Sequence, residues 1–313
     1  MSPSLGTLQQ LVQGLEGFNA LSDYEAVAQQ FLEVMASSKP TRIIAPNCPN
    51  YVFFQYGPEN GHRITRPLNT DLFVENPRKF ATLLGQFHTV IDVLGSTKGN
   101  RAAALKTRKL TPTTVDAALY TIQQCLGSVA DSLPESNQAR KRAGQLFEGL
   151  VKLIIGGVGV ACDGRVVKLP IPGHDPHTMS YELDMVISRD TAIVTSESKL
   201  LMPSDIVGSI KTTSKDRIDK IFLDKFLMSR LLGRDVKVVA IFLHDVQRAK
   251  GKNSRFCINS TFKSNHFLGY SIALNPLDGV YYVDPRPAMA TDPELAKQIS
   301  SFGAFLVRDL WQL

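Results

Sequence analysis

Tyr181-Glu182-Leu183-Asp184-Met185-Val186-Ile187, then the turn Ser188-Arg189-Asp190, then Thr191-Ala192-Ile193-Val194-Thr195 and Glu197-Ser198-Lys199 form the stretch on which the fold turns. The first segment alternates like a half-buried strand. The spacing predicts a second strand over 191–195, folded back on the first. Asp184 then falls near Val194 to Glu197, and Glu197 and Lys199, two apart on an extended chain, share a face. That places two carboxylates and one ammonium at one sheet edge. Paired carboxylates suit a hard divalent cation, which polarises a phosphoryl oxygen and lowers the pKa of a bound water. A neighbouring lysine orients that water or offsets charge in the transition state.

Working outward, a helix is expected at 137–156 after Pro134. Ala143, Leu146, Phe147, Leu150, Leu153 and Ile154 lie on one stripe, and Glu148 projects at the next offset. Gly156-Gly157 ends it, and a strand pair is expected at 158–162 and 165–169, hinged on Asp163-Gly164. The loop Pro170 to His177 contains His174-Asp175-Pro176-His177, where Pro176 breaks regular metal-ligand spacing. Beyond Lys199, Ser214 suits the N-cap of a helix whose apolar face is Ile218, Ile221, Phe222 and Phe226, with Gly233 as its stop. Val236 to Leu243 is a nearly continuous apolar run, the pattern of a strand covered on both faces. Helix, three strands, helix, strand make an α/β module with a mixed sheet.

The triplet alone carries little. With 29 acids in 313 residues, chance yields about 1.7 acid-x-Lys triplets, and the chain has two, the other being Asp235-Val236-Lys237. The order of elements with the acids in place separates them. In that order residues 137–245 resemble the PD-(D/E)XK nucleases, and within them the type II restriction endonucleases, with Leu183 where the motif's name has proline. The resemblance implies a restriction-endonuclease-like αβββαβ core, a central mixed sheet flanked by helices, over 134–313. It assigns Mg²⁺ binding to Asp184 and Glu197, with Ser198 in the ligand set, and assistance of the attacking water to Lys199. Glu148 matches the glutamate that the family often adds from its first core helix. The implied activity is Mg²⁺-dependent, site-specific hydrolysis of double-stranded DNA giving 5′-phosphate ends. A homodimer would match palindromic sites, and a cognate DNA methyltransferase is expected in the same system. The alternatives are a repair or recombination nuclease of the superfamily and a non-cleaving DNA-binding protein on the same scaffold.

Charge placement points to the same partner. The chain carries +6, yet residues 196–263 hold 14 Lys or Arg against 7 Asp or Glu, so the surplus lies there. Candidate DNA contacts are Lys211, Lys215, Arg217 and Lys220 around the helix start. Arg248, Lys250, Lys252 and Arg255 follow on a loop with Gly, Asn and no acid. A second basic tract, 98–109, has five cations and no acid.

Composition excludes several classes. At 43% hydrophobic and 20% charged, the chain is neither disordered nor collagen-like. The longest apolar run, Leu153 to Cys162, is far short of the roughly 20 residues that span a bilayer. Met1 to Gly6 shows no signal pattern, and Cys48, Cys125, Cys162 and Cys257 are dispersed, without zinc-ligand spacing, so a reducing cytoplasm is expected. Residues 1–133 read as a mainly helical region for dimerisation or DNA reading, with helices over 5–36, 77–95 and 111–132 and short strands near 42–45 and 51–54.

Overall fold

The computed structural model describes residues 4–14, 17–56, 66–189 and 192–313. The N-terminal part contains α1 (Leu5–Gln13), α2 (Leu21–Ser38), β1 (Thr41–Ile44), β2 (Tyr51–Gln55), β3 (Leu68–Asn69), α3 (Pro77–Ser96), α4 (Arg101–Thr107) and α5 (Pro112–Asp131). The helix expected over 5–36 is two helices, and Leu15 and Glu16 lie outside the described residues. Part of the basic tract 98–109 is the short helix α4. Its Arg101 stacks on Trp311, 3.4 Å from the ring centroid, and so is engaged within the protein.

Next come α6 (Ser136–Gly157), β4 (Ala161–Pro170), β5 (Thr178–Ser188), β6 (Ile206–Lys211), α7 (Ile218–Leu232) and β7 (Lys237–His244). The chain ends with β8 (Val246–Ala249), β9 (Cys257–Ser260), α8 (Ser264–Ala273), β10 (Gly279–Asp284), α9 (Pro287–Thr291), α10 (Pro293–Ala296), β11 (Ile299–Ser301) and α11 (Phe302–Val307). Six strands form one sheet in the order β11-β10-β7-β6-β5-β4. β4, β5 and β6 pair antiparallel, and β6, β7, β10 and β11 pair parallel, so the sheet is mixed as expected.

Alternation along β7 shows why its sequence is apolar throughout. Val239, Ile241 and Leu243 enter one core with α5, α6, α2 and α11, while Val238, Ala240 and Phe242 enter a second with α7 and α8. α5 is buried along nearly its whole length, with Gln123 and Thr121 among its inward residues. The N-terminal helices and the sheet therefore share one hydrophobic interior.

Three local expectations need correction. The strand pair hinged on Asp163-Gly164 is one strand, β4, with a bulge against β5 at that point. The strand expected over 191–195 is absent from the described part of that segment: Asp190 and Thr191 lie outside the described residues, and 192–205 form an irregular loop. Asp205 gathers that loop by accepting from the Thr195 hydroxyl (2.9 Å) and the Met202 N–H (3.0 Å). The third core strand is β6, which starts eleven residues after the expected strand ends. Ser214 does not cap α7, because its hydroxyl donates to buried Asp245 (2.5 Å). Gly233 does stop α7, at φ +65°.

Candidate active site

The bulge sets the position of Asp184. Asp163 pairs with Val186 and Arg165 with Leu183, so Gly164 alone opposes Asp184 and Met185. A bulge reverses the side-chain alternation and re-aims its residues. Tyr181 and Leu183 accordingly join the core beneath α7, and Met185 and Ile187 join the opposite one. Gly208 on β6, paired with Met185, leaves room for the Met185 side chain, whose Cε would lie 1.9 Å from a Cβ placed there.

The β5–β6 ladder ends at Met185–Gly208, and one step further Asp184 stands beside Ser209. Here the carboxylate replaces the ladder. Asp184 Oδ2 accepts from the Ser209 hydroxyl (3.0 Å) and the Ile210 N–H (2.9 Å), and is ion-paired with Lys211 Nζ. No donor reaches Oδ1 among the described residues. Ser209-Ile210-Lys211 thus occupies the place expected for Glu197-Ser198-Lys199, with serine where the triplet has an acid.

Asp184, Ser209 and Lys211 line a cavity of about 600 Å³ under α7. Asp224 on α7 lines it too and is paired with Lys220 (2.6 Å). Burial, with the Asp224 charge adding to it, pushes the nearby Tyr181 hydroxyl up from its ordinary pKa. Hard divalent cations take one or two carboxylates and fill the remaining positions with water and phosphate oxygen. Asp184, with a free Oδ1, and Asp224 are such a donor set, so these residues fit Mg²⁺. Among the described residues there is no group of three or more His, Cys, Asp or Glu able to hold a metal.

Lys211 and Arg217 stand between this cavity and a second cleft, of about 660 Å³. Arg140, Lys141, Lys215, Arg217 and Arg248 line that cleft together with Glu148, Gln145 and Gln247. Burial, with Arg66 adding to it, holds His244 in the cleft floor down at about 4, so its imidazole is neutral there and Nδ1 accepts from the Val246 N–H (3.1 Å).

The structure therefore divides the residues singled out by sequence. Asp184 and Lys211 come together, and Glu148 lines the cleft beside Lys211, where its carboxylate pairs with Lys152 (2.8 Å). Glu197 pairs instead with Lys168 (2.7 Å), whose strand partner is Ser180, four residues before Asp184. Ser198 and Lys199 lie in the same loop, where Ser196 and Lys199 exchange backbone hydrogen bonds. The ligand set Asp184, Glu197 and Ser198 is thus not assembled on paired strands, because the partner strand is β6. Lys215, Arg217 and Arg248 enter the cleft and Lys220 the cavity, while Lys250, Lys252 and Arg255 are exposed around the β8–β9 turn. Sequence reasoning missed Ser209, Asp224, Arg140 and Lys141. The signal for Asp224 was its place on the polar side of the α7 pattern, and for Ser209 its two-residue spacing before a lysine.

Among solved structures, the chain is similar to the type IIP restriction endonuclease Kpn2I, with a TM-score of 0.65 at 18% identity over 98% of this chain and 96% of that one. The fold is that of a type II restriction endonuclease. A weaker likeness, to restriction endonuclease PspGI in its substrate DNA complex, has a TM-score of 0.43 at 13% identity, covering 74% of this chain and 92% of that one, and adds nothing to the assignment. No protein-family model and no curated protein matches the sequence. In this chain the bulged strand β5 carries Asp184 and its neighbour β6 carries Lys211. No helix among the described residues is long and apolar enough to cross a membrane.

Proposed function

We propose that this protein is a type II restriction endonuclease that hydrolyses phosphodiester bonds of double-stranded DNA at specific sites, with Mg²⁺ as cofactor and 5′-phosphate ends as products. The observation that carries the reading is the Asp184–Lys211 pair at the end of the β5–β6 ladder, on a ridge between an acid-bearing cavity and a basic cleft.

The basic cleft is suited to the phosphate backbone, since Arg140, Lys141, Lys215, Arg217 and Arg248 supply charge that displaces counterions from the duplex. Asp184 and Asp224 would hold Mg²⁺, which when bound polarises the scissile phosphate and lowers the pKa of a bound water. The Ser209 hydroxyl and the Ile210 N–H fix the Asp184 carboxylate through one oxygen and leave the other for the cation. Lys211, free to exchange Asp184 for a phosphoryl oxygen, offsets the charge that develops there and orients the attacking water. Glu148, which lines the basic cleft with Lys211 and is paired with Lys152, would add a further carboxylate on that side. In this reading Lys211 takes the role that the sequence pattern gave to Lys199.

A two-fold dimer would match a palindromic site, a methyltransferase would protect the host DNA, and the cytoplasm is where both would act.

Incubating plasmid DNA with and without Mg²⁺, beside an Asp184→Ala variant, tests the reading. Discrete fragments that require Mg²⁺ and disappear in the variant are expected. Structure-selective nicking would replace it with a repair nuclease, and retarded but uncut DNA with a non-cleaving binding protein.

A further inference from the structure

We infer that the β8–β9 ribbon is the element of this protein that reads DNA sequence, with the cross-strand amides Gln247 and Asn259 meeting base edges in the major groove. The inference rests on the nuclease reading above and names its specificity element.

A two-stranded hairpin is at best marginally stable by itself. This one is fastened from two sides. Asn47, in the loop after β1, brackets Ile258: its Nδ2 donates to the Ile258 C=O (2.7 Å) and its Oδ1 accepts from the Ile258 N–H (3.0 Å). Phe256 packs edge-on against Phe53 of β2, with ring centroids 5.6 Å apart. Val246 and Ile258 complete a small core with Tyr51 and Phe53. At the ribbon's foot, the Thr261 N–H and hydroxyl donate to Asp245, which is fully buried and also accepts from Ser214 and Tyr282. Asp245 thereby ties the ribbon to the segment that follows Lys211.

What this support presents outward has no structural employment. Gln247 and Asn259 are directly paired across the ribbon and both exposed, and among the described residues neither amide is hydrogen-bonded within the protein. Gln247 also lines the basic cleft that reaches Lys211 and Arg217, so the amide pair is continuous with the surface proposed to hold the backbone. Lys250, Lys252 and Arg255 surround the exposed turn. The major groove admits a two-stranded ribbon, and Asn or Gln pairs with adenine through N6 and N7, whereas the flanking cations suit phosphates. Base reading demands that the reader be held to a fraction of an ångström, which is what the Asn47 bracket and the Phe256 contact provide.

The test is cleavage, in Mg²⁺, of a library of duplexes with randomised sequence, followed by sequencing of the cut products. Wild type is compared with the double variant Gln247→Ala/Asn259→Ala, whose exposed positions leave the core untouched. Discrimination in the variant should fall about 10- to 100-fold at one or two base positions, with the remaining positions as in wild type. The variant Lys250→Ala/Lys252→Ala should lower cutting of all sequences alike and leave the profile unchanged. A wild-type protein that cuts specifically beside an amide variant with the same profile overturns the inference alone. A wild-type protein that does not cut overturns the nuclease reading and the inference with it.

Discussion

Lys211 reaches Asp184 from the neighbouring strand at the point where the β5–β6 ladder stops, and the same carboxylate oxygen takes the Ile210 N–H that the ladder would otherwise have used. The acid is thus built into the sheet by main-chain geometry, and the lysine meets it from the neighbouring strand.

Asp224 on α7 shares the cavity wall with Asp184. Asp224→Asn should raise the Mg²⁺ concentration for half-maximal cleavage by about tenfold or more, the loss of one ligand being worth at least roughly 1.4 kcal/mol. A Mg²⁺ titration of cleavage checks this, and an unchanged midpoint would remove Asp224 from the cation site.

Arg140 and Lys141 were not singled out by sequence, yet both line the basic cleft. If each neutralises a phosphate, Arg140→Ala and Lys141→Ala should each reduce the slope of log K against log salt by about one, with affinity lost on all sequences alike. Binding to duplex DNA measured at several salt concentrations, with Ca²⁺ in place of Mg²⁺, reads that slope directly.

The parts of the fold that were legible in sequence are those whose neighbours lie on both sides or close by in the chain. β7 could be read from its unbroken apolar run because both faces are covered, and α6 and the end of α7 from a clean stripe and a left-handed glycine. The third core strand was not legible. Thr191 to Thr195 is richer in β-formers than Ile206 to Lys211, whose Gly208 and Ser209 interrupt the pattern. Both residues answer to neighbours on β5: Gly208 makes way for Met185, and Ser209 bonds Asp184. Strand preference follows tertiary neighbours more than intrinsic propensity. The bulge at Asp184 and the Asn47–Ile258 bracket, 211 residues apart in sequence, leave no local mark at all.

Asp116 on α5 is almost fully buried, where it accepts from the Gly303 N–H (2.7 Å) at the start of α11, and burial pushes its carboxyl up from 3.8 to about 7. An acid raised in the folded state keeps its proton while the unfolded chain loses it, so stability declines as pH rises from about 4 to 7 and levels off above that. The decline attributable to Asp116 is of the order of 4 kcal/mol. Asp284, raised by burial to about 6, acts in the same direction. Asp116→Asn, which keeps an acceptor for Gly303, should flatten the pH dependence of unfolding free energy by the Asp116 share. Denaturant unfolding of both proteins at pH 5 and pH 8 checks it.

Asp245 accepts from Thr213, Ser214, Thr261 and Tyr282 with no exposure to solvent. Asp245→Ala leaves those donors buried without a partner and should destabilise the protein by about 3–5 kcal/mol. The loss should appear as a lower denaturant midpoint at an unchanged slope.

Single-turnover cleavage of plasmid DNA in saturating Mg²⁺ by Lys211→Ala and by Lys199→Ala is the decisive comparison. Lys211→Ala should cut about 10²- to 10³-fold more slowly than wild type, as expected on losing one charge-stabilising donor, and Lys199→Ala should stay within about threefold of it. A severe loss in Lys199→Ala beside a near-normal rate in Lys211→Ala would contradict the site described on β5 and β6.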